Sequence, residues 1–473
     1  MTYPLIIQGG MGAGVSNWQL ARAVSVTGQL GVVSGTALDT IVSRRLQLGD
    51  PGGHMQRAMA HFPDVEMVDR ILKRFFIPAG RAEPKPFKHV GKTSLNADQQ
   101  IRELTVVANF AEVFLAKEGH SNPVGLNLLE KVQLPNLYAL YGAMLAGVDY
   151  VIMGAGIPRE IPGVLDSLAE HQAVSLKIAV EALNGNRFQA TFDPKTLIRK
   201  DLPVLKRPRF LSIISSVLLA KMMVKKATGR VDGFVVELPC AGGHNAPPRG
   251  KLALNETGEP IYGDRDDIEL KKIKAMGLPF WLAGSWGTPE KLQEALSLGA
   301  NGIQIGTALA FSDESGFTEI IKREAIQNIH KENTSVFTDP SASPTGFPFK
   351  VLSMNESLSD AEVYHERSRI CDLGYLRQLY EKEDGRVGYR CPAEPEAAFI
   401  AKGGKSGDMQ GKKCLCNALL SNIGLAQIRK NGYVENTLVT SGDGIQLIGR
   451  FLGKRLSYKT EEVINWLLDR PAS

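Results

Sequence analysis

Two glycine-containing turns, each directly after a short apolar run, are the segments of this sequence best suited to hold an anion. The first is Ala283-Gly284-Ser285, and the second is Gly302-Ile-Gln-Ile-Gly306-Thr307, about twenty residues later. Glycine lets the backbone approach an anion closely, and the N–H groups that open a following helix point toward it. Two such turns on neighbouring strands therefore predict a phosphate-binding site.

A histidine follows a third apolar run. The segment from Val235 to His244 reads Val-Val-Glu-Leu-Pro-Cys-Ala-Gly-Gly-His, so Gly242 and Gly243 directly precede the imidazole. Imidazole titrates near neutral pH and can remove or supply a proton there. We therefore predict a phosphate-bearing cofactor beside His244; a structural histidine that caps a loop is the alternative.

Short β-branched runs alternate with helix-length amphipathic segments, which is typical of parallel βα units. The eight predicted strands are 5–8, 31–34, 124–128, 150–153, 175–179, 234–237, 280–283 and 302–305. A ninth run, 210–215, is an alternative to 175–179. Because the loops after strands 7 and 8 of a (β/α)8 barrel often bind phosphate, we predict an α/β fold of the TIM-barrel type.

The chain is too long for a barrel alone. It has 473 residues, whereas a TIM barrel typically uses about 250. We predict a barrel over 1–330 with a helical insertion at about 40–120, after strand 2, and a hairpin-like excursion at about 181–208 around Asn184-Gly185-Asn186, a good turn signal. Residues 331–473 are predicted to form a C-terminal extension packed on the barrel.

The glycine-rich segment Gln8-Gly-Gly-Met-Gly-Ala-Gly-Val-Ser16 follows the first predicted strand. A dinucleotide-binding turn is the obvious rival interpretation. However, the glycines do not fit G-x-G-x-x-G, and no acidic residue ends a second strand at the expected distance. We expect instead that a flat aromatic ring lies on the backbone of residues 9–11.

Composition narrows the class of protein. The chain is 43% hydrophobic and 22% charged, which is ordinary for a globular protein. No apolar run reaches the roughly 18 residues of a membrane span, and no basic segment precedes an apolar one at the N-terminus. We therefore expect a cytoplasmic protein with no membrane partner. The net charge of +5, without a basic stripe interleaved with aromatics, argues against nucleic acid binding. We also expect a homo-oligomer.

Four of the five cysteines lie in the predicted extension. They are Cys371, Cys391, Cys414 and Cys416. In a cytoplasmic protein we expect reduced thiols rather than disulfides. No C-x2-C pair is present, and the spacing matches no ordinary ligand pattern, so we assign no metal; zinc or an iron–sulfur cluster is the alternative.

Five motifs in this order resemble the nitronate monooxygenase family, formerly called 2-nitropropane dioxygenases. They are Pro4-Leu-Ile-Ile-Gln-Gly-Gly-Met11, Gly125-Leu-Asn127-Leu, Ala241-Gly-Gly-His244, Leu282-Ala-Gly284 and Ala300-Asn-Gly302-Ile-Gln-Ile-Gly-Thr307. The flavin-dependent enoyl-acyl-carrier-protein reductases of bacteria are similar in the same pattern. The resemblance covers residues 3–330 without the insertion and the excursion, and it implies an FMN-dependent barrel enzyme.

The resemblance also implies roles for single residues. It assigns flavin contacts to Gly9, Gly10, Met11 and Asn127, close backbone approach to Gly242 and Gly243, and phosphate binding to Gly284, Ser285, Gln304, Gly306 and Thr307. Lys177, on the predicted fifth strand, would lie near flavin N1. Glu237 stands where nitronate monooxygenases usually carry Gln and the reductases usually carry Glu. His244 would be the catalytic base near flavin N5.

One departure from the family pattern concerns the substrate. Family sequences usually continue His-x-Gly, whereas His244 is followed by Asn-Ala-Pro-Pro-Arg249-Gly. The two prolines predict a stiff loop, and Arg249 is a candidate to hold an anionic substrate group.

Three functions follow from the resemblance. The first is FMN-dependent oxidation of a nitronate-like or other acidic carbon substrate by dioxygen. The alternative is an NAD(P)H-dependent enoyl-ACP reductase, in which the cationic run 195–209 would dock an acidic carrier protein. The third is a non-catalytic flavin-binding sensor or assembly protein.

Overall fold

A computed structural model describes residues 3–182 and 187–470. The strands are β1 (Ile6–Gln8), β2 (Gly31–Ser34), β3 (Val124–Leu129), β4 (Tyr150–Gly154), β5 (Val174–Ile178), β6 (Phe188–Phe192), β7 (Arg209–Ile214), β8 (Gly233–Glu237), β9 (Phe280–Ala283), β10 (Gly302–Ile305), β11 (Val336–Asp339), β12 (Phe349–Leu352), β13 (Gln378–Glu381) and β14 (Val387–Arg390). The α-helices are α1 (Trp18–Val26), α2 (Leu38–Gln47), α3 (His54–Met59), α4 (Val65–Phe75), α5 (Gln99–Lys117), α6 (Gln133–Leu145), α7 (Ile161–Ala169), α8 (Pro194–Leu197), α9 (Val217–Lys226), α10 (Leu270–Lys274), α11 (Pro289–Ser297), α12 (Thr307–Ala310), α13 (Glu319–His330), α14 (Ala361–Glu366), α15 (Glu396–Ala401), α16 (Leu415–Ser421), α17 (Gly449–Leu452) and α18 (Thr460–Leu467).

Eight strands form one parallel sheet in the order β1-β10-β9-β8-β7-β4-β3-β2. The edges meet at a bridge between Ile7 and Leu30, and the Gln8 N–H donates to the Leu30 carbonyl (2.9 Å). Helices follow the strands on the outside, and the predicted (β/α)8 TIM barrel is confirmed.

The Gln8 side chain completes the seam between β1 and β2. Its Nε2 donates to the Val32 carbonyl (2.9 Å), and its Oε1 accepts from the Val32 N–H (3.0 Å). Gln8 is fully buried, where unpaired backbone groups would be costly. A side-chain amide thus replaces the ladder bonds that these two strands do not make.

The fifth barrel strand is not the one predicted. β7 pairs with β4 and β8 inside the barrel, whereas β5 pairs antiparallel with β6 outside it. The alternative run 210–215 is therefore correct, and the prediction for 175–179 is wrong. The alternating buried and exposed residues of β5 belong to a two-stranded hairpin with one face covered. The turn signal at Asn184-Gly185-Asn186 lies outside the described residues.

The helices predicted between strands 2 and 3 are present. They include α2, α4 and α5. An aspartate caps each of the two longer helices: Asp64, before α4, accepts from the Met67 N–H (3.0 Å), and Asp98, before α5, accepts from the Ile101 N–H (2.9 Å). Such caps satisfy N–H groups that lack a partner inside the helix. α5 packs against α1, α2, α3 and α6.

Residues beyond α13 pack on the barrel. One continuous apolar cluster reaches from Ile6 in β1 to Leu467 in α18, and it includes Leu420 and Val439. Over the described part of the chain, no helix has the length and apolar character needed to cross a membrane.

Candidate active site

The inward side chains of the barrel strands form two layers. Since side chains alternate along a strand, every second residue points inside. The lower layer is apolar and contains Ile7, Val32, Ile152, Leu211, Val235 and Trp281. Two residues further along the same strands are the inward positions Gly9, Ser34, Gly154, Ile213, Glu237 and Ala283. Together with Asn127 on β3 and Gln304 on β10, they line a cavity of about 260 Å³. The polar layer thus lies at the carboxyl ends of the strands, where TIM barrels place their active sites.

Ser16 holds the first glycine loop in shape. Its Oγ accepts from the Met11 N–H (3.0 Å) and donates to the Gly9 carbonyl (2.8 Å). A Cβ added at Gly10 would lie 2.0 Å from Cβ of Asn127, so only glycine fits there. The loop therefore presents bare backbone to the cavity.

The side-chain amide of Asn127, in β3, is held in position by one hydrogen bond. Nδ2 donates to the Ile152 carbonyl (3.1 Å), and among the described residues Oδ1 has no partner. The side chain of Gln304, on β10, likewise makes no hydrogen bond within the described chain. Both amides line the cavity, so they are available to a polar ligand.

Glu237, the last residue of β8, lines the cavity without an ion-pair partner among the described residues. Burial raises the pKa of this carboxyl to about 7, because the charged form loses its hydration. Near neutral pH the group can therefore give or take a proton.

His244 lies in the loop that follows β8. Its Nε2 shares a hydrogen bond with Ser343 Oγ (2.7 Å), and its ring meets Phe349 edge-on at 4.9 Å. Burial lowers the pKa of His244 to about 4, since a cation is disfavoured away from water. The imidazole is thus neutral at physiological pH and held in a fixed orientation.

The two predicted phosphate turns lie side by side in the same cavity lining. Gly284 has a φ of +96°, and an added Cβ would lie 3.0 Å from Cys240 Sγ. Ser285 has a φ of +55°, which is uncommon for a residue with a side chain. Gly306 precedes α12, and Thr307 opens it.

A segment of the extension, Thr440–Gly444, crosses over these turns; we call it the crossing segment. The Gly442 N–H donates to Thr307 Oγ1 (2.9 Å), and Thr440 Oγ1 accepts from the Gly243 N–H (2.8 Å). Lys350, which is buried, pairs with Asp443 at 2.6 Å. The crossing segment therefore joins the histidine loop to the phosphate turns.

Thirteen of the predicted residues line this one cavity, and two do not. The thirteen are Gly9, Gly10, Met11, Asn127, Glu237, Gly242, Gly243, His244, Gly284, Ser285, Gln304, Gly306 and Thr307. Lys177 lies on the β5–β6 hairpin, its side chain is 57% exposed, and Nζ pairs with Glu160 at 3.4 Å. Its predicted position on a barrel strand is wrong, because the run that carries it leaves the barrel.

Arg249 is the second residue outside the cavity lining. It is exposed, and its Nη2 donates to the Ser215 carbonyl (2.7 Å). The loop after His244 thus turns this guanidinium toward α9 rather than into the cavity.

Sequence reasoning missed the residues that the extension contributes. Tyr375, Leu376, Leu415, Leu419 and Phe451 line the cavity, as does the crossing segment. Ser441-Gly442-Asp443-Gly444 is a recognisable turn signal, but nothing in its sequence says which turn it will meet.

The five cysteines lie in two places. Cys240 lines the cavity, while Cys391 and Cys414 form a small buried cluster with Cys371 and Cys416 packed against it. Within residues 3–182 and 187–470, no three His, Cys, Asp or Glu side chains are arranged to hold a metal ion.

The chain was compared with known proteins. Residues 200–357 match the family described as NMO: Nitronate monooxygenase. This segment contains β7 to β10 with Glu237, His244 and both phosphate turns. No curated protein gives a significant match.

Three solved structures align over nearly the whole chain. FabK from Thermotoga maritima is 15% identical, with 99% of this chain and 92% of that chain covered and a TM-score of 0.48. A nitroalkane oxidase from Streptomyces ansochromogenes is 16% identical, with 99% of this chain and 96% of that chain covered and a TM-score of 0.45. The enoyl reductase domain of MlnA from Bacillus amyloliquefaciens is 13% identical, with 98% of this chain and 92% of that chain covered and a TM-score of 0.48. At these TM-scores they carry no argument about function. The family match over residues 200–357 relates the chain to the nitronate monooxygenases and identifies it as a flavin-dependent oxidoreductase.

Proposed function

We propose that the flavin is FMN and that it occupies the cavity at the carboxyl ends of the strands. Two features of the lining support the fit. The glycine loop at 9–10 leaves a flat strip of backbone, since a Cβ at Gly10 would collide with Asn127. At the other side, Gly284, Ser285, Gly306 and Thr307 offer backbone and hydroxyl groups to one terminal phosphate, which is the anion that FMN carries.

In this proposal Asn127 and Gln304 hold polar edges of the cofactor through their unpaired amide atoms. Bound FMN supplies two-electron transfer between a carbon substrate and dioxygen. The protein supplies orientation, exclusion of water and proton handling. The lining also contains the apolar side chains of Ile213, Phe349 and Leu376, which favours a substrate with a small carbon skeleton.

We further propose that the substrate is a small nitronate-like compound or another acidic carbon compound, oxidised with dioxygen. One observation carries this proposal: His244 is a neutral imidazole that Ser343 and Phe349 hold in a fixed orientation at the cavity. A neutral imidazole can accept the proton of a carbon acid without first having to lose one, so it can convert the protonated form of such a substrate, for example a nitroalkane, into the nitronate within the site. This role requires the tautomer in which Nε2–H donates to Ser343 Oγ, which leaves the unprotonated Nδ1 for the substrate.

A second candidate is NAD(P)H-dependent reduction of an acyl thioester. Glu237 favours it, because a carboxyl whose pKa is raised to about 7 can supply a proton to a reduced product. Two residues of the cationic run that would dock a carrier protein are already paired within the chain. Lys206 and Arg207 pair with Asp149, Asp166 and Asp232, near the amino ends of the strands and away from the cavity.

Replacement of His244 tests the proposed base. His244→Ala should retain the flavin absorbance band and, with the protonated carbon acid as substrate, lose about 10²–10⁴-fold in kcat, the range typical for general base catalysis. The matched control is His365→Ala, at an exposed position of α14, which should leave kcat unchanged. Unchanged turnover in His244→Ala, with flavin bound, would remove His244 from the mechanism.

A further inference from the structure

Four thiols of the extension come together beside the active-site cavity. Cys391 and Cys414 are 6% and 5% exposed, and Cys371 and Cys416 pack against them. All four border a small void, which shares Leu376, Leu415 and Cys416 with the lining of the large cavity. The cysteine cluster is therefore one layer of side chains away from the proposed flavin site.

Cys371 and Cys391 are neighbours in this cluster. Cys371 packs against the buried side chains that include Cys391, and the two thiols lie close enough for each to shift the pKa of the other. Cys391 directly follows β14, and Cys371 precedes the turn that leads into β13. The β13–β14 hairpin, closed by the pairs from Gln378–Arg390 to Glu381–Val387, thus brings together two thiols that are distant in sequence.

The two thiols differ in reactivity. The neighbouring Cys391 thiol lowers the pKa of Cys371, and the positive charges of Lys92 and Arg377 act in the same direction, whereas burial and Glu394 oppose them. Cys371 is also partly exposed, whereas Cys391 is buried. A partly exposed thiol with a lowered pKa is the usual site of oxidation, and a second thiol in contact with it can resolve the product.

The remaining two thiols are poor nucleophiles. Burial raises the pKa of Cys414 to about 12 and raises that of Cys416 as well. Asn417 Nδ2 donates to Cys414 Sγ (3.4 Å), and Cys414 Sγ in turn contacts the Ile370 carbonyl (3.5 Å). These contacts fit a packing role.

The segment between the two contacting thiols reaches the active site. Tyr375 and Leu376 line the large cavity. The Tyr375 hydroxyl donates to Asp39 Oδ1 and shares a hydrogen bond with Thr40 Oγ1 (2.6 Å), which ties this wall to α2. A covalent link between Cys371 and Cys391 would constrain the segment that carries this wall.

We propose that Cys371 and Cys391 form a redox-active dithiol that peroxides oxidise to a disulfide, and that this modification alters the wall of the active site. The Cys371 thiolate attacks the O–O bond of a peroxide, forming a sulfenic acid and releasing water or an alcohol. The Cys391 thiol then attacks the sulfenic sulfur, the S–S bond forms, and water leaves. The two thiols give up two electrons and two protons, and the peroxide is reduced.

The test begins with the full-length holoenzyme, purified anaerobically with reductant and assayed for zinc and iron. It is then titrated with hydrogen peroxide, remaining thiols are alkylated, and peptides are mapped without reduction. We expect loss of two thiols per chain and one linked peptide pair, Cys371 with Cys391. In Cys391→Ser we expect no link, and a sulfenic acid on Cys371 that dimedone traps.

The control variant is Cys414→Ser, which should still form the Cys371–Cys391 link. Peroxide should change KM or flavin dissociation in the wild type and in Cys414→Ser, but not in Cys371→Ser. Three results would overturn the proposal: no linked pair, a link made through Cys414 or Cys416, or one equivalent of bound zinc or iron per chain. An equal change in Cys371→Ser would also overturn it, because peroxide would then act elsewhere.

Discussion

At the scale of single residues, burial and residue type together set the chemistry. Glu237 and His244 both face the same cavity, yet burial moves their pKa values in opposite directions, to about 7 and about 4. Near neutral pH the carboxyl is therefore the group that titrates, and the imidazole is the group that stays neutral. The sequence identified both residues, but only the fold could supply their pKa values.

The pKa of Glu237 predicts a pH dependence. A carboxylate beside a nitronate repels the anionic substrate, so kcat/KM should fall as pH rises through about 7. Glu237→Gln should abolish this fall, and Glu383→Gln, on the exposed β13–β14 turn, should leave it in place. His244 should add no ionisation above about pH 5, since its pKa is about 4. A fall that persists in Glu237→Gln would contradict the assignment to Glu237.

Residue types were predictable where a motif fixes them. Gly10 and Gly284 were assigned from turn patterns, and both have backbone positions that only glycine suits. Lys177 and Arg249 do not line the cavity as expected. Their positions depend on the direction in which a hairpin and a proline-containing loop turn, and local sequence does not determine that direction.

At the scale of elements, most barrel strands could be predicted because each is a short β-branched run followed by a turn signal. β2 was predicted to the residue and β3 to within one. The fifth strand was ambiguous, because β5 and β7 are both short β-rich runs. Pairing decides between them, and pairing depends on residues distant in sequence.

The phosphate turns give a prediction that separates charge from size. A Cβ at Gly306 would meet only the flexible Met11 side chain, with Sδ at 3.5 Å and Cγ at 3.7 Å, so Gly306→Ala should keep its flavin. Gly306→Asp places a negative charge against the phosphate and should lose it. Flavin content per chain, read from absorbance after gel filtration, checks both variants. Full occupancy in Gly306→Asp would contradict the phosphate site, and loss in both variants would indicate a steric cause.

At the scale of the whole molecule, the extension and the barrel share one core and one cavity. The apolar cluster joins β1 to α18, and the crossing segment bonds to both Gly243 and Thr307. The sequence predicted an extension packed on the barrel, but no motif in it indicated which of its residues would complete the site. The boundary near residue 330 remains a prediction.

A shared core predicts cooperative unfolding. In urea, hydrogen-exchange peptides from β8 and from α18 should lose protection at the same midpoint, because both elements contribute side chains to the same apolar cluster. The measurement is exchange mass spectrometry at a series of urea concentrations. If α18 loses protection well before β8, the extension is an independent unit.

The proposed oxidase function requires a bound flavin that the substrate reduces. The most direct test is the absorbance of the anaerobic purified protein near 450 nm, recorded before and after addition of a small alkyl nitronate and, separately, of NADH or NADPH. We predict a flavin band that the nitronate bleaches and the pyridine nucleotides do not. Bleaching by NADH or NADPH alone would contradict the oxidase proposal and favour acyl thioester reduction, and absence of the band after reconstitution with FMN would contradict the cofactor site itself.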